Sequence, residues 1–281
     1  MATVRFNTKQ EEEIEYYTNH TSLKNYLYSH IPNPSLGYGD KTTGSNLYNV
    51  LKKIFQKFIN NGNVSICGAQ VYIAVKRYPD GLDVSDIITQ LRANHVIVNI
   101  AVDSIPSGGS NSATLYEMSY QTNGICVFAT GNDLSNGFDN IFRVLDSSYQ
   151  FIAQNFVVSG SGRIEIPTFK TPTPPGYSDW CEVAITVQNH TLDNSFVSMN
   201  YTVESTDGFV AYKFPSKDAV PLFGTAQTDI LPLNGSLSYK WTRVARNSDF
   251  RLPTSDFRIW NFTSDFRLPT SVFEKITSAQ L

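Results

Sequence analysis

Three apolar runs decide the reading of this chain: Val71-Tyr-Ile-Ala-Val75, Val96-Ile-Val-Asn-Ile-Ala-Val102 and Ile125-Cys-Val-Phe-Ala129. Each is short, rich in β-branched residues and nearly continuous, as a strand must be when both faces of a parallel sheet are covered. Between the first and second runs, Asp83-Val-Ser-Asp opens a segment in which Val84, Ile87, Ile88 and Leu91 share one helical face. Between the second and third, Thr114-Leu-Tyr-Glu-Met-Ser-Tyr predicts another helix, and Phe138–Leu145 a closing one. Strands and helices alternating at this spacing predict right-handed crossovers in an α/β, doubly wound, mostly parallel sheet.

Upstream, Ser45–Ile59 places Leu47, Val50, Leu51, Ile54, Phe55 and Phe58 on one apolar helical stripe, stopped by Asn60-Asn-Gly-Asn. A shorter helix is expected around Leu23, Tyr26 and Leu27, ahead of the breaker Asn33-Pro-Ser-Leu-Gly. At the start, Thr3-Val-Arg-Phe and Ile14-Glu-Tyr-Tyr read as two extended pieces of a hairpin, joined by the polar turn Asn7-Thr-Lys-Gln.

Downstream of Phe156 the pattern changes to short extended segments separated by turns: Arg163–Ile166, Cys181–Val187, Phe196–Val203, Phe209–Phe214 and Ser236–Trp241. Polar and apolar residues alternate in several of them, which predicts an antiparallel β-sandwich. The expected organisation is therefore an α/β domain over 1–150, a sandwich over 156–242 and a poorly ordered tail over 243–281. Within that tail Ser248-Asp-Phe-Arg-Leu-Pro-Thr-Ser255 recurs letter for letter at Ser264–Ser271. Two copies are too few for a solenoid.

The 281 residues carry 22 basic and 25 acidic side chains, a net charge of -3, which excludes a nucleic-acid binder working through a basic surface. No run of eighteen apolar residues is present, so no helical membrane span is expected. The N-terminal residues lack the charged and apolar regions of a signal peptide. Cys67, Cys126 and Cys181 contain no CxxC pair, and three reduced core thiols are expected, with one disulfide plus a leftover thiol as the alternative. Among six Asn-x-Ser/Thr sequons, Asn189, Asn200 and Asn234 cluster and are the candidate N-glycosylation acceptors.

A catalytic constellation is harder to find. His20, His30, His95 and His190 have no metal-binding spacing, and GxSxG, P-loop and GxGxxG patterns do not occur. Gly108-Gly109 follows a strand and precedes a helix, a conceivable phosphate cradle, but a flexible turn explains it as well. Asp80, Asp83 and Asp86 crowd one strand end, where Asp83 and Asp86 also suit a helix start. No cofactor and no bound metal are expected.

The order of elements resembles a von Willebrand factor A-like domain. Thr43-Gly-Ser-Asn-Leu-Tyr-Asn-Val-Leu looks like the Thr-bearing loop and helix of that family, and Thr122-Asn-Gly-Ile-Cys-Val-Phe like the run into its final strand. The resemblance implies a subfamily without a working metal site, because Asp-x-Ser-x-Ser is missing and Lys76 and Arg77 stand where an Asp would be needed. It implies that Thr3–Phe6 and Ile14–Tyr17 are the second and third strands, that the first strand and helix are missing, and that the parent protein is secreted or an ectodomain.

The expected function is a non-enzymatic module that binds a protein or glycan through the loops at the strands' C-terminal ends, with Thr43, Ser45, Arg77, Asp80, Ser107 and Ser110 facing the ligand. The alternatives are a truncated copy with no intact function of its own, and a small-molecule or nucleotide-binding enzyme using the same edge.

Overall fold

A computed structural model describes residues 1–30, 33–61, 66–143, 147–187, 193–194, 196–215 and 222–262. The chain is mixed α/β, with a three-stranded parallel sheet and antiparallel sheets, and it divides into two compact units.

The three deciding runs form β3 (Gln70–Val75), β4 (Ile97–Asp103) and β5 (Cys126–Ala129), hydrogen-bonded in that order. β3 and β4 are parallel with Val71 opposite Val98 and Val75 opposite Val102. The crossovers are α3 (Ser85–Ala93) and α4 (Ala113–Gln121). Val84, Ile87, Ile88 and Leu91 are buried together with Val98, Ile100 and Val102. That is the face the 3.6-residue period predicts. Strand order follows chain order without reversal, so among the described residues the sheet lacks the switch in direction that marks double winding.

The turn into β5 is set by three local demands. Thr122 ends α4, its hydroxyl bonding back to the Met118 and Ser119 carbonyls and accepting from Val98 N–H. Asn123 has φ of 61°. At Gly124 any Cβ would overlap the Val98 carbonyl. The phrase Thr-Asn-Gly is thus a helix stop with a close approach, explained by packing alone.

Residues 1–17 correct an expectation. Only Ala2–Thr3 (β1) and Glu15–Tyr16 (β2) pair, antiparallel, and they form a separate two-stranded ribbon rather than strands of the parallel sheet. The reason lies in the residues between them. Arg5 pairs with Glu12 at 2.8 Å, and Glu11 and Glu13 pair with Lys53 and Lys57. Lys53 and Lys57 lie on α2 (Leu47–Asn61), whose Leu47, Val50, Leu51 and Phe55 turn to the core. So charged a segment cannot occupy a strand covered on both faces. α1 (His20–Ser29) begins at an Asn19 cap that accepts Ser22 N–H, and α5 (Gly131–Arg143) starts seven residues ahead of the expected helix at Phe138.

Within the second unit the described residues from 147 to 262 are all β: β6 (Ser147–Lys170), β7 (Ser178–Thr186), β8 (Phe196–Ser205), β9 (Ala211–Phe214), β10 (Ala226–Asn234) and β11 (Ser238–Phe262). The order is β10-β7-β11-β8-β9, with β6 also lying along β11. β11 serves two neighbours in turn: Tyr239–Asn247 pairs with β8 and Asp256–Asn261 with β7. The register against β6 breaks between Arg246 and Arg251 and again between Leu252 and Ser255, where the long strand passes from one neighbour to the other. One core collects Cys181, Val183 and Ile185 of β7, Met199, Tyr201 and Val203 of β8, Leu231 and Leu233 of β10, and Tyr239 and Trp241 of β11.

Three features of this unit depart from expectation. β10 has no counterpart among the expected segments, and its Pro232 is tolerated because β10 is an edge strand. The boundaries expected at 156 and 242 fall inside β6 and β11, so the backbone of the first repeat copy, 248–255, is strand. The second copy, 264–271, lies outside the described residues. Cys126 and Cys181 are core residues but Cys67 is exposed. Burial pushes the Cys181 thiol up to about 12, far from a reactive thiolate.

Candidate functional site

The C-terminal edge of the parallel sheet brings three loops together: Asp40–Ser45, Lys76–Gly81 and Ile105–Asn111. Backbone bonds stitch them, with Ser45 N–H donating to the Tyr78 carbonyl (2.9 Å), Tyr78 N–H to the Gly108 carbonyl (2.8 Å), Ser107 N–H to Lys76 (2.7 Å) and Asn111 N–H to Pro79 (2.9 Å). At the centre sits Arg77, buried, whose Nη1 donates to the Thr43 carbonyl (2.5 Å) and Nη2 to the Asp40 carbonyl (2.6 Å). Its guanidinium also lies 5.3 Å from the Tyr38 ring centroid. A planar fork with five donors suits two converging carbonyls.

The glycines here are spacers for that lock. A Cβ on Gly108 would overlap the Arg77 guanidinium, and one on Gly109, at φ 73°, would overlap the Tyr78 carbonyl. Gly44 abuts the Asp80 carboxylate in the same way. Gly108-Gly109 therefore permits close approach of backbone to Arg77 and Tyr78, and the space in which a phosphate would lie is filled by them. Asp40 closes the first loop by accepting Thr43 N–H (2.6 Å), Thr42 N–H (2.8 Å) and the Thr43 hydroxyl (3.0 Å). The Thr43 bonds hold its carboxyl down to about 2. Asp83 accepts Ser85 N–H and hydroxyl at 2.9 and 2.6 Å, a helix-start role.

The sequence-predicted residues are thus assembled, but as members of a tied cluster. Thr43, Asp80 and Ser110 are exposed, and Ser45 and Ser107 half-buried. Ser45 donates to Asn7 (2.7 Å), whose own N–H donates to Asn46 (2.8 Å), and Ser107 Oγ donates to the Lys76 carbonyl (3.3 Å). Arg77 points inward, its guanidinium engaged by the Asp40 and Thr43 carbonyls. Among the described residues no group of three His, Cys, Asp or Glu is placed to hold a metal ion. A shallow groove lies elsewhere, between α3 and α4, lined by Ile88, Thr89, Arg92, Glu117 and Gln121.

A second surface, unmarked by any motif, lies at one end of the all-β unit. Three aromatic side chains face solvent there: Phe209 at 89% exposure, Tyr177 at 68% and Trp180 at 56%. Their supports are bonded together. Gly235 N–H donates to the Tyr177 carbonyl (2.9 Å), Gly176 N–H to Ser236 Oγ (2.8 Å), and Thr206 N–H to the Ser238 carbonyl (2.8 Å). Gly235 fits only because it has no Cβ to overlap the Thr173 and Pro174 carbonyls. Asp207 fastens the Phe209 turn by accepting the Ser205 hydroxyl (2.5 Å) and Phe209 N–H (3.1 Å), which lowers its pKa. Trp180 lies on β7 directly opposite the exposed Pro232 of β10. Asn234 N–H donates to the Tyr239 hydroxyl (2.7 Å), and its Oδ1 accepts Ser236 N–H (2.7 Å). The signal that could have revealed this end was aromatic residues in the turn-rich segments Pro174-Pro-Gly-Tyr and Thr206-Asp-Gly-Phe, where no core needs them.

Of the three candidate glycosylation acceptors, Asn200 is exposed on β8, Asn234 lies at this aromatic end, and Asn189 is outside the described residues.

A family described as "Domain of unknown function (DUF7154)" matches residues 154–244, less than half of the chain and all within the all-β unit. That match, with the separate ribbon formed by β1 and β2, overturns the resemblance to von Willebrand factor A-like domains. No curated protein matches the chain. Among solved structures, a carbohydrate-binding module of Cellvibrio mixtus lichenase 5A in complex with cellotriose is 12% identical, covering 43% of this chain and 95% of its own, with a TM-score of 0.23. The K1 cleaved adhesin domain of Lys-gingipain from Porphyromonas gingivalis W83 is 11% identical over 38% of this chain and 66% of its own, TM-score 0.21. The tripod from the baseplate of bacteriophage Tuc2009 is 16% identical over 45% and 99%, TM-score 0.22. Likeness at these scores carries no argument about function.

Proposed function

We propose that the chain is a non-enzymatic binding module, that its all-β unit is a two-layer sandwich, and that the aromatic end of this unit holds a glycan. The observation that carries the reading is the trio Tyr177, Trp180 and Phe209: Tyr177 and Phe209 are exposed on loops bonded to the β10–β11 turn region, and Trp180 is exposed on β7 beside them. Large rings left in water on rigid supports lose little entropy on binding. Their faces suit the C–H face of a pyranose, while Ser178, Asp179, Asn234 and Ser236 lie within the same segments to bond hydroxyls. The two-layer geometry is supported by Tyr212 of β9, which donates to the Pro232 carbonyl of β10 at 2.6 Å. β9 and β10 stand at opposite ends of the strand order, so the path must fold over for them to touch.

Titration of the chain with soluble gluco-, xylo- and manno-oligosaccharides, followed by tryptophan fluorescence, tests this. Saturable binding that falls about tenfold in Trp180→Ala or Tyr177→Ala is expected. Binding unchanged in both variants, or seen with no member of the panel, overturns it.

A second reading places a protein partner at the parallel-sheet edge, beside Thr43, Ser45, Asp80, Ser107 and Ser110. It is favoured by Ile105, on one of these loops, and Leu82, next to Gly81 at the end of another, at 65% and 86% exposure.

A further inference from the structure

β6 is 24 residues long and its one ladder is with β11, so among the described residues no strand lies along its other side. From Phe156 to Lys170 this open side has the marks of an edge. Gly162, Arg163, Glu165, Pro167 and Lys170 are exposed, and Pro167 sits in a register break opposite β11. The stretch from Phe156 to Ile166 contains no proline, so each residue can donate as well as accept. Such an edge is a template for one more strand.

The chain also repeats the letters of a segment that lies along β6. Ser248–Ser255 runs antiparallel to β6, with Arg251 opposite Ser159, Leu252 opposite Val158 and Ser255 opposite Phe156. The same eight letters recur at Ser264–Ser271. The second copy cannot reach the open side of β6 in its own molecule. β11 ends with Phe262 opposite Ser147, and only Thr263 separates it from Ser264. A seat on Phe156–Ile166 puts Ser264 at least nine residues along β6 from Ser147, about 30 Å away. Two Cα steps cover at most about 7.2 Å.

We propose that the open edge of β6, Phe156–Ile166, is a self-association site that takes the Ser264–Ser271 segment of a second copy of this chain as an added antiparallel strand.

Sedimentation of the whole chain across a concentration series tests this, beside a chain ending at Thr263 and the full-length double variant Phe266→Asp, Leu268→Asp. A reversible rise in apparent mass to about twice that of the single chain is expected, with both altered chains monomeric at every concentration. Synthetic Ser264–Ser271 peptide in excess should return the full chain to monomer, and a scrambled peptide should not. A full chain monomeric up to roughly 100 µM, above the range of a specific transient interface, contradicts the proposal. Association that survives both the truncation and the double variant contradicts it equally. So does a monomer in which the second copy has replaced the first against β6, an even shift of sixteen residues that keeps every side chain on its face.

Discussion

The two units present loops of opposite character. In the first, the loops at the sheet's C-terminal edge are drawn inward by a buried cation: Arg77 holds the carbonyls of Asp40 and Thr43, and glycines at 44, 108 and 109 let the backbones close on it. In the second, the loops are as firmly bonded to each other but turn Tyr177 and Phe209 outward, with Trp180 on the adjoining strand. Position at a sheet edge tells where loops gather. Whether the gathered loops bind anything depends on whether their best side chains are consumed in holding the loops together.

The sharpest way to break this contrast is to add a Cβ to one positive-φ glycine in each unit. Gly109→Ala forces a Cβ onto the Tyr78 carbonyl at positive φ and should cost about 3 kcal/mol or more in denaturant unfolding. Gly176→Ala, at φ 88° with open space around it, should cost only about 1 kcal/mol. Similar losses at both positions would mean that the first unit's edge is not tightly closed.

Next in size is Arg77→Met. It keeps the stem but leaves two inward carbonyls without their charged donor, and should cost about 2–3 kcal/mol. Arg77→Lys should recover little, since one ammonium cannot span two carbonyls as a fork does. Trp180→Ala should show the converse pattern, with stability within about 0.5 kcal/mol of the parent and a loss of ligand binding.

Smaller effects should appear as opposite pH responses. Asp40, depressed to about 2 by its Thr43 bonds, favours the folded state above its ordinary 3.8, and this contribution is lost as pH falls towards 2. The Thr43 amide resonance should follow that titration. Asp229 of β10 is raised, chiefly by burial, so it favours the folded state at low pH and this is lost as pH rises through its folded value. Asp229→Asn should therefore stabilise the chain at neutral pH, and the gain should vanish in acid, where the native carboxyl is already protonated.

Much of the first unit was legible because burial on both faces leaves a coarse signature: Val98, Ile100 and Val102 could belong only to a covered strand, and Ile87, Ile88 and Leu91 only to a helix packed on it. Gathering of the loops followed from the same pattern. Their closure did not, because it depends on Arg77 turning inward, and an arginine after a strand looks the same on paper whether it points to water or to a carbonyl. The all-β unit was legible in kind but not in extent. β10 has no counterpart among the expected segments, and the polar, repeat-bearing letters of 248–255 concealed the long continuation of β11. The aromatic end left only residue types in turns, and exposure is a property of the fold rather than of the letters.

Amide resonance mapping of the whole chain, titrated with the best-binding oligosaccharide, tests the central claim most directly. The shifts should cluster at Pro174–Trp180, Thr206–Val210 and Pro232–Ser238, and leave Asp40–Ser45, Arg77–Gly81 and Ile105–Asn111 unmoved. Shifts concentrated on those last three loops, with the aromatic end silent, would contradict the account.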